Sequence, residues 1–175
     1  MGDFLADVEA IRQHARQNME SGAVTGGYAA DRERVIKVLN DVLATELVCT
    51  LRYMRHYYMA SGINSESVKA EFLQHAKEEE EHTNWVAERI VQLRGAPNYN
   101  PEGLATRSHA QYAEGNSLVD MIREDLVAER IAIETYSEIV RWLSTDDPST
   151  RRLIERILEV ENKHAEDMVT LLEKV

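Results

Sequence analysis

The run Glu79-Glu80-Glu81-His82 decides how this chain reads. On a helix, residues three apart stand one above the other, so Glu79 and His82 share a face. Outward from that pair, Val68, Phe72, His75, Glu79, His82, Val86, Ile90 and Leu93 follow at steps of three and four. Such a stripe is the buried side of an amphipathic helix. A carboxylate and two imidazoles therefore interrupt an apolar seam. A buried carboxylate is costly unless it is paired or bound to a metal, so Glu79 needs a partner.

Glycine and proline show where the other helices run. All three prolines and all eight glycines lie outside four stretches, roughly 30–60, 65–94, 117–144 and 149–174. Those stretches are rich in Leu, Glu, Ala, Arg and Ile, which favour helix. Ser61-Gly62-Ile63-Asn64-Ser65 combines a helix-ending glycine with N-cap candidates. Gly115-Asn116-Ser117 opens the third helix, and Asp147-Pro148 opens the fourth with proline at its first position. Few residues join the first helix to the second or the third to the fourth, so each pair is an antiparallel hairpin. The linker from Gly95 to Asn116 could span ~65 Å when extended, enough to return along the whole bundle. The expected fold class is all-α: an antiparallel four-helix bundle with one long crossover, the ferritin-like connectivity.

The same stripe test finds a glutamate near the middle of every seam. The first helix gives Val35, Leu39, Val42, Glu46, Cys49 and Tyr53. The third gives Leu118, Ile122, Asp125, Glu129, Ala132, Tyr136, Ile139 and Leu143. The fourth gives Ile154, Ile157, Glu161, His164, Met168 and Leu171. Glu46 stands 33 residues before Glu79 and Glu129 stands 32 before Glu161, and a tyrosine follows each first glutamate by seven. Gly62 lies midway in the first hairpin and Thr145 midway in the second. In an antiparallel hairpin, residues equidistant from the turn are level. Glu46, Glu79, His82, Glu129, Glu161 and His164 should thus meet at one height, as the ligands of a dinuclear metal site.

Four carboxylates and two imidazoles without a thiolate suit two iron ions per chain, with manganese as the alternative metal. Open coordination positions would let O2 or H2O2 meet two Fe(II) ions. Around the ligands, Tyr53 and Tyr136 are placed to hydrogen-bond ligand carboxylates or donate an electron; a buried tyrosine with a satisfied hydroxyl is the alternative. Asp125 is placed to accept from a ligand histidine's second N–H, with a structural salt bridge as its alternative. His75 reads as a satisfied core histidine, with ion transit as the alternative. Cys49 reads as core.

Composition excludes other classes. A net charge of −11 and the absence of a Lys/Arg cluster speak against nucleic acid. No apolar run approaches the ~20 residues of a membrane span. One cysteine, Cys49, permits no internal disulfide. With no signal peptide legible, a cytoplasmic location is expected. The length suits one domain, the bundle over 30–175. Residues 1–29 form an extension: Phe4, Val8, Ile11, Ala15 and Met19 predict a short amphipathic helix before a Gly-rich loop.

Three segments resemble a known family. Leu39-Asn40-Asp41-Val42-Leu43-Ala44-Thr45-Glu46-Leu47-Val48 is similar to the first bundle helix of bacterioferritins. The stretch from Ala87 to Asn98 resembles the end of their second, and Glu124-Asp125-Leu126-Val127-Ala128-Glu129 their third-helix site. The resemblance covers about residues 34–172 and includes all six ligand positions. It implies that Glu79 and Glu161 bridge two metals, with Glu46 and His82 capping one and Glu129 and His164 the other. It also implies a ferroxidase that oxidises Fe(II) and stores ferric mineral inside a homo-oligomeric shell. Two departures qualify it. Where bacterioferritins carry the haem-binding methionine, this chain has Glu80, so no haem is expected. The sequence has no fifth helix after the fourth, which resembles the Dps-like branch and favours a 12-subunit over a 24-subunit shell. A non-storing di-iron or di-manganese enzyme that consumes peroxide, and a stress-protection shell, are the rival readings.

Overall fold

The computed structural model describes residues 7–63 and 65–175. Its helices are α1 (Val8–Arg16), α2 (Arg32–Met59), α3 (Ser65–Gln92), the short α4 (Leu104–Arg107), α5 (Leu118–Leu143) and α6 (Pro148–Leu172), with a 3-10 turn at Met19–Ser21. The four long helices have 25 to 28 residues, about 40 Å each. Ser117 caps α5 by accepting from the Asp120 N–H, and Asp147 caps α6 through the Thr150 N–H, with Pro148 beside it. Asn64, in the stretch expected to cap α3, lies outside the described residues.

The predicted seams are the buried faces. Every stripe residue on α2, α3 and α6 is buried, and on α5 only Leu118 is partly exposed. The apolar core falls into two main parts. One gathers Leu39, Leu43, Val86, Ile90, Tyr136, Ile154 and Ile157; the other gathers Tyr53, Phe72, Ile122, Met168 and Leu171. Between them lies the layer of glutamates and histidines.

The crossover runs along α2 and is fastened to it rung by rung. Asn40 accepts from the Asn98 N–H at 2.7 Å, and Thr45 accepts from the His109 N–H at 2.9 Å. Farther on, Arg52 donates to the Gln111 carbonyl at 3.1 Å and His56 Nε2 meets the Ala113 carbonyl at 3.1 Å. The ascending order of both partners shows that the crossover travels parallel to α2, which leaves α5 antiparallel to it. Where α3 yields to the crossover, Arg94 takes a left-handed backbone with φ 64°. Gly95 follows because a Cβ there would sit 2.7 Å from Ile36 Cγ2.

The N-terminal helix forms over Val8–Arg16 and carries no buried residue; Val8 and Ile11 are 42% and 56% exposed. Phe4, the first residue of its predicted stripe, lies outside the described residues. The segment after it holds on instead: Val24, Tyr28 and Ala30 pack against the core, and the Tyr28 hydroxyl donates to Asp147 at 2.8 Å. Among the described residues, no helix is long and apolar enough to cross a membrane.

Candidate metal centre

Each long helix delivers one glutamate to the buried layer, and α3 and α6 each add a histidine one turn on. Glu46, Glu79, His82, Glu129 and Glu161 are each 1% exposed, and His164 is fully buried. Their atoms converge in two overlapping sets. His82 Nδ1 lies 3.0 Å from Glu46, 3.1 Å from Glu161 and 3.4 Å from Glu79. His164 Nδ1 lies 3.3 Å from both Glu79 and Glu161 and 3.9 Å from Glu129. Glu79 and Glu161 thus belong to both sets, whereas Glu46 and Glu129 belong to one each.

Hydrogen bonding accounts for only part of this cluster. Glu79 Oε1, both carboxylate oxygens of Glu161 and His164 Nδ1 are buried without a hydrogen-bond partner among the described residues. Buried polar atoms are nearly always satisfied, so four facing orphans need an explanation. Two divalent cations would satisfy all of them and balance four carboxylates. The donor set fits iron or manganese.

Without cations, protons balance the charge. Burial alone would lower both imidazoles, but Glu161, Glu46 and Glu79 around His82 and Glu161 and Glu79 around His164 outweigh it. His82 is held well above its ordinary value and His164 is pushed up to about 12. Burial, together with the charges of Glu79 and Glu161, raises Glu46 and Glu129 far above the carboxylate range. Glu79 and Glu161 go the other way, because the two imidazoliums outweigh burial. The central pair is therefore anionic and the outer pair protonated.

Two tyrosines cross the bundle to hold the outer glutamates. Tyr53 on α2 donates to Glu129 Oε1 on α5 at 2.5 Å, and Tyr136 on α5 donates to Glu46 Oε1 on α2. Both hydroxyls thus reach carboxylates of the cluster, as their spacing predicts.

Asp125 meets no histidine of the cluster, which corrects the first expectation, and follows its alternative, a structural salt bridge. It accepts from Arg52 Nε at 2.7 Å and meets His56 Nδ1 at 2.8 Å, with all three side chains fully buried. The reason is axial level. Asp125 stands a turn before Glu129, opposite the last turns of α2, where it completes the anchorage of the crossover. Glu78 occupies the corresponding place instead, 2.7 Å from His164 Nε2. In the sequence Glu78 is one of four consecutive glutamates, and a run of charges is ordinarily a solvated face. Only its position directly before Glu79, at the edge of the seam, could have singled it out.

The chain belongs to the ferritin-like domain family, whose model matches residues 36–175. The bacterioferritin of Desulfovibrio desulfuricans is 31% identical over 140 residues, which are 79% of this chain and 74% of that one. Among solved structures, the bacterioferritin-related protein of Bacteroides fragilis, a dodecameric thioferritin, superposes with a TM-score of 0.80 at 27% identity, over 83% of this chain and 88% of its own. Dps from Thermosynechococcus elongatus shares the fold with a TM-score of 0.76 at 20% identity, over 80% and 90% of the two chains.

Proposed function

We propose that the protein is a ferroxidase of an iron-storing, iron-detoxifying shell. It would bind two Fe(II) ions per chain at the buried cluster and oxidise them with O2 or H2O2. The observation that carries this reading is the set of orphaned atoms of Glu79, Glu161 and His164, which face one another inside the bundle. Glu79 and Glu161, common to both sets of donors, would bridge the ions. Glu46 with His82 would cap one, and Glu129 with His164 the other. Tyr53 and Tyr136 hold the capping carboxylates in place.

The balance is simple. Two Fe(II) supply two electrons; with two protons, O2 becomes H2O2, or H2O2 becomes two waters. Ferric product then leaves the cluster for the interior of a homo-oligomeric shell. The dodecameric state of the Bacteroides fragilis relative supports twelve subunits.

Aerobic loading of the purified protein with a large excess of Fe(II), followed by size exclusion and iron analysis, tests the whole reading. Iron far above two per chain, in a peak of large assembly size, is the expected result. Iron that stops near two per chain would remove storage and favour a non-storing peroxide-consuming enzyme. No uptake at the cluster would remove the centre itself.

A further inference from the structure

We propose that Glu71, His75 and Asp167 form a separate mononuclear site for a divalent transition-metal ion, at the solvent side of the buried cluster. His75 on α3 is fully buried, while the side chains of Glu71 and Asp167 are 44% and 33% exposed. One donor atom from each lies within 4.8 Å of the others.

The hydrogen-bond geometry around His75 carries the argument. The Tyr53 hydroxyl has one proton, and it goes to Glu129 Oε1 at 2.5 Å. Toward His75 Nδ1, 3.3 Å away, that hydroxyl can only accept, so Nδ1 carries the ring proton. Nε2 is then left with a lone pair. It faces two carboxylate oxygens, Asp167 Oδ2 at 3.4 Å and Glu71 Oε2 at 3.9 Å. Three acceptors facing one another have no proton to share among themselves, and a divalent cation is the partner that would engage all three at once. Donors ~2.0–2.2 Å from a tetrahedral ion stand ~3.3–3.6 Å apart; Asp167 is already at that separation from Nε2, and the partly exposed Glu71 side chain has to close by a few tenths of an ångström. Lys163, whose Nζ is 3.7 Å from Asp167 Oδ2, reaches only that carboxylate and is itself 61% exposed.

The site adjoins the buried cluster. The His75 ring stacks on His164 with centroids 3.9 Å apart. Donors overlap in sequence: Glu71–His75–Asp167, then His75–Glu78–His164, then Glu79–Glu129–Glu161–His164. An ion held at the outer site is one hand-over from Glu78 and two from the centre. This delivery role rests on the ferroxidase reading; the binding site does not.

The test uses Zn(II), a redox-silent probe, on the full-length apo-protein, with stoichiometry from elemental analysis and positions from anomalous diffraction. The expected count is three ions per chain in the wild type and two in Asp167→Asn or His75→Gln. Glu46→Ala/Glu161→Ala should keep the outer ion and lose the inner pair. No anomalous peak beside His75 Nε2 in the wild type overturns the site. An inner pair that persists in Glu46→Ala/Glu161→Ala overturns the dinuclear reading instead. For delivery, Asp167→Asn should slow Fe(II) oxidation several-fold at sub-saturating iron and leave the rate at saturation alone. Equal rates at low iron overturn that role.

Discussion

Tyr53 on α2 donates to Glu129 on α5, and the same hydroxyl faces His75 on α3, so one phenol ties three helices at the level of the cluster. Tyr136 makes the reciprocal bond from α5 to Glu46 on α2. Partners that orient a metal's ligands are typically worth 10- to 100-fold in affinity or activity. Tyr53→Phe should therefore slow Fe(II) oxidation by about 10-fold while retaining the fold. Stopped-flow absorbance beside circular dichroism would measure both, and a wild-type rate would show that Glu129 needs no such support.

Glu129→Ala removes a donor outright. Rapid oxidation should fall by more than ~100-fold, beyond the loss expected for an outer partner. Glu129→Gln separates chemistry from stability, because it keeps an acceptor for Tyr53 but cannot ionise. Its metal-free form should melt at the wild-type temperature or a few degrees above, since no buried negative charge is left there to neutralise. A Glu129→Ala variant that oxidises iron normally would remove the assignment.

The metal-free protein should lose stability as pH rises from about 6 to 9. His82 and His164 are raised, so their contribution is fully present below the unfolded imidazole value of about 6.5 and is lost as pH climbs toward their folded values. Glu46 and Glu129, also raised, act in the same direction. Glu79 and Glu161 are lowered; their contribution is lost only in acid, below the ordinary carboxylate range. Each additional proton held by the folded state steepens the decline by about 1.4 kcal/mol per pH unit. Urea titrations across that range would check the sign. Divalent ions displace these protons, so saturating Mn(II) should flatten the profile and release protons, detectable by calorimetry in buffers of different ionisation enthalpy.

Arg52→Met leaves Asp125 buried with His56 as its remaining partner and cuts the crossover's bond at Gln111. Removing one member of a buried pair typically costs ~3–5 kcal/mol. The loss should appear in equilibrium unfolding, and amide exchange should rise first around residues 109–114. A cost below about 1 kcal/mol would mean that the crossover is held by its other rungs alone.

The four seams, the hairpin pairing and the level of the six cluster residues were legible in the sequence because they depend on local rules. Helical periodicity assigns a face, and distance from a turn assigns a height. The tyrosines were legible for the same reason, standing seven residues from Glu46 and Glu129. Arg52 and Glu78 were not. A fully buried arginine contradicts every compositional expectation, and Glu78 is one of four like residues in a row.

The sequence by itself thus determined the helices, their order and the meeting of Glu46, Glu79, His82, Glu129, Glu161 and His164, since period and turn position are properties of the chain. Tertiary structure alone decided who partners whom across the bundle. Asp125 went to Arg52 and His56, Glu78 to His164, and His75 to Tyr53 on one side and two carboxylates on the other. Such contacts turn on rotation and axial offset between packed helices. A shift of part of a turn exchanges one partner for the next, and no single helix encodes that offset.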